Sequence, residues 1–469
     1  MRFRPRAGWK PRALILTALW LSDCCGRLWA LEIHVPDDYP SIAQGLQHAW
    51  SGDSVVVECG TYVESAMLVR SGVTLRSATG SPNCVVIDGG QNGSILRCWN
   101  APLRARIEGI TFMHGGAYND ADGGGFNIQS AQVGIHSCRF ISNYAGSQGG
   151  GIYAVDSDVL VDNCEFSDNR ATESEVGAGE GGAVYCGGTT LEVIYSTFTE
   201  NVGHHGGGGG RGGAIFATSS QVAISDSEFY GNYSDNNLGG GGGAVYASGA
   251  ELLVDGSRFE ANWTYGIGGA ISQSGLNCTI TKTVFQENSS GYGADGSSIA
   301  AGGDELLIVT SQFVRASATP SLGCEVLASA STALRVEQST FVSTGVAQST
   351  SYLRGGEDPQ IVDCLLVLGE GLTAYSCGIA APSFHCCDIY SPFGDAWVDC
   401  YADQLGVNGN IEADPQFCGI PGSGNYYLQS DSPCAPNNNG CGELIGALPV
   451  NCDAVSTAET SISAIKALY

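Results

Sequence analysis

The sequence predicts an all-β fold: a right-handed parallel β-helix with an N-terminal helical cap and a Cys-rich C-terminal cap. Three observations predict it. A phenylalanine recurs at a nearly constant spacing, apolar residues alternate with period two before it, and 68 of the 469 residues are Gly with no Gly-X-Y period. Self-similarity of this length signals stacked coils and not one enlarged globular core.

The recurring residues are Phe112, Phe140, Phe166, Phe198, Phe229, Phe259, Phe285, Phe313 and Phe341, with gaps of 28, 26, 32, 31, 30, 26, 28 and 28 residues. Before them run pairs such as Val159 and Val161, Leu191 and Val193, and Val222 and Ile224. This alternation marks strands with one buried face. Two residues before the rings stand Cys138, Cys164, Ser196, Ser227, Ser257, Thr283, Ser311 and Ser339. Three residues after six of them stand Asn143, Asn169, Asn201, Asn232, Asn262 and Asn288. A Gly-rich stretch then leads to a second strand: GGGIYA from Gly149, GGAVYC from Gly181, GGAIFA from Gly212, GGAVYA from Gly242 and GGAIS from Gly268.

Two or three short strands with tight turns close a coil of roughly 25 residues, and successive coils stack about 4.8 Å apart. Identical positions then fall into ladders. The rings are expected inside. The Asn positions are expected to accept left-handed backbone angles while each amide bonds its equivalent in the next coil. The leading glycines permit sharp bends and close backbone approach. A sandwich or propeller is the competing fold, but propeller blades need ~40–50 residues each.

The chain divides into 1–30, 31–110, 111–366, 367–453 and 454–469. The first segment reads as a signal peptide: Arg2, Arg4, Arg6, Lys10 and Arg12 precede the apolar run Ala13 to Leu21, and Ala30 offers a cleavage point. A membrane anchor is the alternative, although the run falls short of the ~20 residues a span needs. No later segment is long and apolar enough to cross a bilayer. Residues 31–110 hold the N-terminal cap and first coils, opening with a short amphipathic helix (Ile42, Leu46, Ala49, Trp50), a turn at Ser51–Asp53 and a strand. A helix there would cover an exposed sheet edge. Residues 111–366 are the repeats, and 454–469 a loose tail with one short helix near Ile465.

Segment 367–453 carries Cys377, Cys386, Cys387, Cys400, Cys418, Cys434, Cys441 and Cys452, which suggests final coils and a cap stapled by disulfides in an oxidising compartment. Zinc is the competing reading, but no CxxC pair occurs. Seventeen Cys follow residue 30, so at least one thiol stays unpaired or joins another chain. Charge narrows the partners further. With 14 basic against 46 acidic residues after position 30, the surface repels phosphate backbones and anionic lipid, which excludes nucleic acid. It also disfavours polyanionic sugars unless calcium or a local basic patch intervenes.

The FISN, FSDN, FTEN, FYGN, FEAN and FQEN elements, paired with GGA[VI], resemble the repeats of the chlamydial polymorphic outer membrane proteins over about residues 120–300. That resemblance implies a surface-displayed adhesin, although 370–469 lack the serial ~10-residue alternating strands of an autotransporter barrel. Residues 38–64 and 414–452 are similar to the opening and closing segments of secreted bacterial right-handed β-helix proteins. The resemblance implies a pectate-lyase-like solenoid, a scaffold that hosts lyases, hydrolases, esterases and adhesins alike.

Candidate sites follow from the repeat. Pectin-type hydrolases of this fold carry clustered Asp with Gly-His-Gly and Arg-x-Lys elements; here Gly203-His204-His205-Gly206 appears in a glycine-rich loop, without the other parts. Asp120 and Asp122, then Glu173, Glu175 and Glu180, then Asp235 fall between the Asn position and the GGA strand, so stacked coils would bring these loops to one face. Asp120, Asp122 and Glu180 are the catalytic candidates, since acid–base chemistry needs carboxyls that converge on one bond. The same oxygen-rich loops would suit Ca2+, but tandem GGxGxD repeats are absent, and no other metal or cofactor is expected. On the GGA strands, Ile152, Val184, Ile215 and Val245 should point inward, leaving Tyr153, Tyr185, Phe216 and Tyr246 as an outward aromatic row, unless the loops fold over it. Sugar rings and partner proteins both pack on such rows. The expectation is a secreted or cell-surface protein, non-catalytic, that binds an extracellular glycan or surface protein through its loop-rich face. The alternative is a polysaccharide-active lyase or glycoside hydrolase.

Overall fold

The computed structural model describes residues 30–116, 122–173, 179–205, 209–235, 241–291, 295–315, 323–343, 351–378, 380–419 and 425–452. Residues 1–29, Asp120, Glu175 and residues 453–469 lie outside them. The described chain is a parallel β-solenoid built on sheets of 22, 13 and 6 strands. The coil around Phe166 shows the plan. Ile152–Val155 and Asp158–Asp162 lie in the first sheet, Glu165–Ser167 in the second and Arg170–Glu173 in the third. Each strand pairs in parallel with its equivalent one coil on: Phe166 with Phe198, Ile152 with Val184, Arg170 with Val202.

One left-handed residue turns each corner. In this coil they are Asp156, Asn163 and Asp168, with φ of 50°, 52° and 54°, and Gly181 at 66° starts the next coil. The ladder asparagines are therefore not the left-handed residues, contrary to expectation. The residue before each takes that role (Ser142, Asp168, Glu200, Gly231, Ala261 and Glu287), which lets the Asn side chain turn inward. There each amide does what was expected of it. Asn169 Nδ2 donates to Asn201 Oδ1 at 3.0 Å and to Phe140 O at 2.8 Å, and Asn201 Oδ1 also accepts the Asn169 backbone N–H.

The Phe ladder stacks in the core from Phe112 to Phe341, with Phe166, Phe198 and Phe229 spaced 4.7 Å apart in nearly parallel planes. The small residues beside it form a second hydrogen-bonded column: Ser196 Oγ donates to Ile194 O and accepts the Cys164 N–H. The glycine pair seals one coil to the next. A Cβ on Gly181 would sit 2.1 Å from Val184 O, and one on Gly182 would sit 2.2 Å from Gly213 O in the neighbouring coil.

At the N-terminal end the helix Ile42–His48 buries Ile42 and Leu46, and the Ser41 side chain caps it by accepting the Gln44 N–H. Trp50, assigned to its apolar face from the sequence, is instead 63% exposed under the Arg70 guanidinium. The helix stops at His48, so Trp50 follows it in extended chain and falls off the helical face.

At the other end the second sheet continues through Leu365–Val367 to Asp388–Tyr390. Disulfides Cys377–Cys400, Cys386–Cys441 and Cys418–Cys452 then tie down the closing segment, and Cys59–Cys84 staples the first coils. Nine further cysteines stay reduced and buried, well beyond the one that the odd total required. Among the described residues, no helix is long and apolar enough to cross a membrane.

Candidate functional site

Outward positions of the first sheet form a row one residue wide. Arg97, Asn127, Tyr153, Tyr185, Phe216, Tyr246 and Ser272 occupy consecutive coils in exact register. The predicted inward partners Ile152, Val184, Ile215 and Val245 are fully buried. The four rings stack, with centroids 5.2 Å apart for Tyr153 and Tyr185, 5.3 Å for Tyr185 and Phe216, and 5.4 Å for Phe216 and Tyr246. Two consequences follow. The rings cover one another's faces, so the row turns edges outward and not ring faces. It is also recessed: Phe216 is only 4% exposed and the three tyrosines are half-buried. Burial, helped by the charge on Glu180, pushes the Tyr185 phenol up to about 12, and burial with the Asp122 charge raises Tyr153.

Of the catalytic candidates, Asp120 lies outside the described residues. Asp122 and Glu180 each precede the glycine pair of their own coil, and Gln148, Glu180 and Arg211 pair as successive bridges. Both carboxylates are engaged. Asp122 Oδ1 accepts the Gln148 N–H at 3.1 Å, while Glu180 accepts Gln148 Nε2 at 2.8 Å and lies 3.5 Å from the Arg211 guanidinium. Arg211 in turn lies over the Tyr246 ring at 5.5 Å. Two coils separate the carboxyls, about 10 Å along the axis at the usual strand spacing.

Asp235 does not join them. It directly follows the third-sheet strand Tyr233–Ser234 of its coil, where its Oδ2 meets His204 Nδ1 at 2.5 Å. His204 and His205 are likewise not loop residues, since they close the strand Val202–His205, which pairs with Arg170–Glu173. The glycine-rich context hid a strand whose alternation is only four residues long. Glu173 belongs to that same third sheet.

Burial raises Asp388, in the C-terminal segment, to about 7, and burial also raises Asp363 at the end of the repeats. Among the described residues, Asp363, His385 and Cys386 alone approach closely enough to share a metal ion. The Cys386 sulfur is already joined to Cys441, so that trio lacks its thiolate.

Third-sheet aromatics escaped the sequence reading. Tyr144, Tyr233 and Trp263 each follow a ladder Asn directly, and with Arg170, Val202 and Ser289 they form one outward row. The signal was available: the residue after each ladder Asn must face solvent once the Asn faces the core.

The coils and ladders together define a right-handed parallel β-helix. Residues 60–229 match the model of the right-handed β-helix region family. Among solved structures, a variant of the PL6 family alginate lyase AlyGC matches with a TM-score of 0.50 and 12% identity, covering 86% of this chain and 55% of that one. The chain thus spans about half the length of that lyase. A Yersinia enterocolitica family 28 exopolygalacturonase matches with 10% identity over 79% of each chain at a TM-score of 0.38. PfbA, a surface adhesin of Streptococcus pneumoniae, matches with 12% identity at a TM-score of 0.34, covering 77% of this chain and 86% of that one. At such identities the likeness is one of fold. No curated protein matches the sequence.

Proposed function

We propose that this protein is an extracellular, non-catalytic β-helix that binds a glycan along the outward face of its first sheet. The observation that carries this reading is the in-register row Tyr153, Tyr185, Phe216 and Tyr246 on four successive coils. Tyr153, Tyr185 and Tyr246 offer phenol edges along the axis on either side of the buried Phe216, suited to the hydroxyls of an extended chain. The flanking carboxylates favour binding over chemistry, because Asp122 and Glu180 are held by Gln148 and Arg211. Surface display follows from the resemblance of the GGA[VI] and FxxN repeats to those of surface adhesins.

The test is a glycan array probed with the secreted protein and with a Tyr153→Ala/Tyr185→Ala double variant, alongside reducing-end and unsaturated-product assays on a polysaccharide panel with and without calcium. Binding lost in the double variant without cleavage supports the reading. Cleavage abolished by Asp120→Asn, Asp122→Asn or Glu180→Gln overturns it in favour of a polysaccharide-active enzyme.

A further inference from the structure

The last corner between the first and second sheets gathers donor atoms that neither the ladders nor the aromatic row uses. Val362 and His385 are in-register partners on adjacent coils, and the Asp363 N–H donates to His385 O at 2.9 Å. Asp363 and Cys386 come next in their coils, and both are left-handed, with φ of 54° and 53°. Each therefore turns the same corner, one coil apart. As a result a carboxylate oxygen of Asp363, a ring nitrogen of His385 and the Cys386 sulfur all lie within 4.8 Å of one another. His385 is exposed and Asp363 half-buried, so an ion can reach the trio from solvent, while Cys386 closes its inner side.

A fourth donor is attached to the third. Cys441 Sγ is bonded to Cys386 Sγ, and the two Cα atoms stand 6.0 Å apart. Zinc–sulfur bonds of about 2.3 Å place two thiolates of one tetrahedral ion about 3.8 Å apart. Side-chain rotation reaches that separation without moving the backbone. The segment bearing Cys441 is also held independently of the disulfide. Asn439 Oδ1 accepts the Cys441 and Gly442 N–H groups, and Asn439 Nδ2 donates to Ala435 O and Glu443 O. Ile445 N donates to Cys434 O, and Gly446 N donates to Asp363 O itself. Glu337 and Glu443 surround Asp363 with further negative charge, which a dication neutralises.

We propose that Asp363, His385, Cys386 and Cys441 form a tetrahedral zinc site in the dithiol state of the chain. The Cys386–Cys441 disulfide is the alternative state of the same residues. Cysteines are incorporated as thiols, so the dithiol state comes first. Two thiols release their protons as the ion binds, and the S2NO donor set suits zinc. On oxidation the two thiolates give an electron pair to a disulfide oxidant, which leaves as two thiolates. The protein sulfurs join and the ion departs. The cap is thus fastened by metal before oxidation and by a covalent bond after it. The site shares no residue with the first-sheet row, so the two proposals stand or fall separately.

The experiment titrates the full secreted chain with Co2+, before and after reduction by a trialkylphosphine, which takes oxygen from water as the disulfide becomes two thiols. The reduced chain should bind Co2+ with strong thiolate-to-cobalt absorption in the near ultraviolet, and Zn2+ should displace it. The oxidised chain should bind about a hundredfold more weakly. The phosphine also opens the other disulfides, so Cys441→Ser is the companion test: it frees the Cys386 thiol with no reductant. This variant should bind Co2+ with a weaker thiolate band. Adding His385→Ala to it should weaken binding about tenfold or more, and adding Asp363→Asn about threefold to tenfold. Cys386→Ser/Cys441→Ser should lose the thiolate band. The proposal is overturned if Cys441→Ser binds no Co2+, if the oxidised chain binds as tightly as the reduced one, or if His385→Ala leaves the affinity of Cys441→Ser unchanged. Should reduction unfold the wild type, the Cys441→Ser series decides alone.

Discussion

Asn201 Oδ1 accepts both the backbone N–H and the side-chain amide of Asn169, while its own Nδ2 donates to Asn232 Oδ1 and Phe166 O. One fully buried side chain thus joins three consecutive coils. Asn201→Ala strands the Asn169 amide and the Phe166 carbonyl, and an unsatisfied buried group costs about 1–3 kcal/mol. The expected outcome is a loss of about 3 kcal/mol in urea unfolding. Asn201→Asp should be similarly poor, since a carboxylate cannot donate to Asn232 and Phe166. An unchanged midpoint would mean that the ladder is decorative.

The glycine pair makes a steric prediction. In Gly182→Ala the new Cβ meets a carbonyl of the neighbouring coil backbone, Gly213 O, at 2.2 Å. Backbone cannot rotate aside as a side chain can. The coils must part locally, at a cost of about 3 kcal/mol. Ala at the exposed Gly378, where nothing lies within 4 Å of the added Cβ, should leave the melting temperature unchanged.

Asp388 makes stability depend on pH in an unusual direction. Its carboxyl is buried, accepts the Ala413 N–H at 3.0 Å and lies 3.1 Å from Cys434 Sγ. Burial raises its pKa from 3.8 to about 7, with Glu412 and Asp414 adding to the rise. The folded state therefore holds this proton more tightly than the unfolded one. Its contribution is full below about pH 4 and declines as pH rises, being lost above about pH 7. The effect is on the order of a few kcal/mol. Urea midpoints for the wild type should fall between pH 5 and pH 8, whereas Asp388→Asn should flatten that part of the profile. Equal slopes in both proteins would refute the assignment.

The reduced cysteines should be chemically silent. Burial pushes Cys98, Cys138, Cys186, Cys278 and Cys324 up to about 12, so little reactive thiolate exists at neutral pH. Iodoacetamide should label none of the nine in the native protein and all of them in denaturant, as counted by intact mass. Rapid native labelling of any one would show that its coil opens.

The solenoid was readable because its ladders use one residue type each, so Phe140 to Phe341 and Asn143 to Asn288 announce the register directly. The catalytic and binding candidates were less legible for a physical reason. Asp122 and Asp235 both lie in the connection after the ladder position, held by Gly115 and Asn232, but Asp122 immediately precedes a glycine turn and Asp235 immediately follows a two-residue strand. That third sheet is too short to show alternation, so His204 read as loop and the Tyr233–Trp263 pair went unnoticed. Recession of the aromatic row was equally hidden. Whether Phe216 is open or covered depends on the chain around it, and period two cannot report that.

The constant rise from coil to coil has a further consequence. Every outward group on this molecule sits on a ruler whose divisions are fixed by backbone hydrogen bonding, whatever side chains occupy them. A ligand that engages several divisions at once must carry a matching repeat, while one that does not can touch a single division only. Lengthening the molecule by a coil would therefore add grip for a periodic partner and nothing for a compact one. Discrimination of that kind resides in the scaffold itself, before any individual contact is chosen.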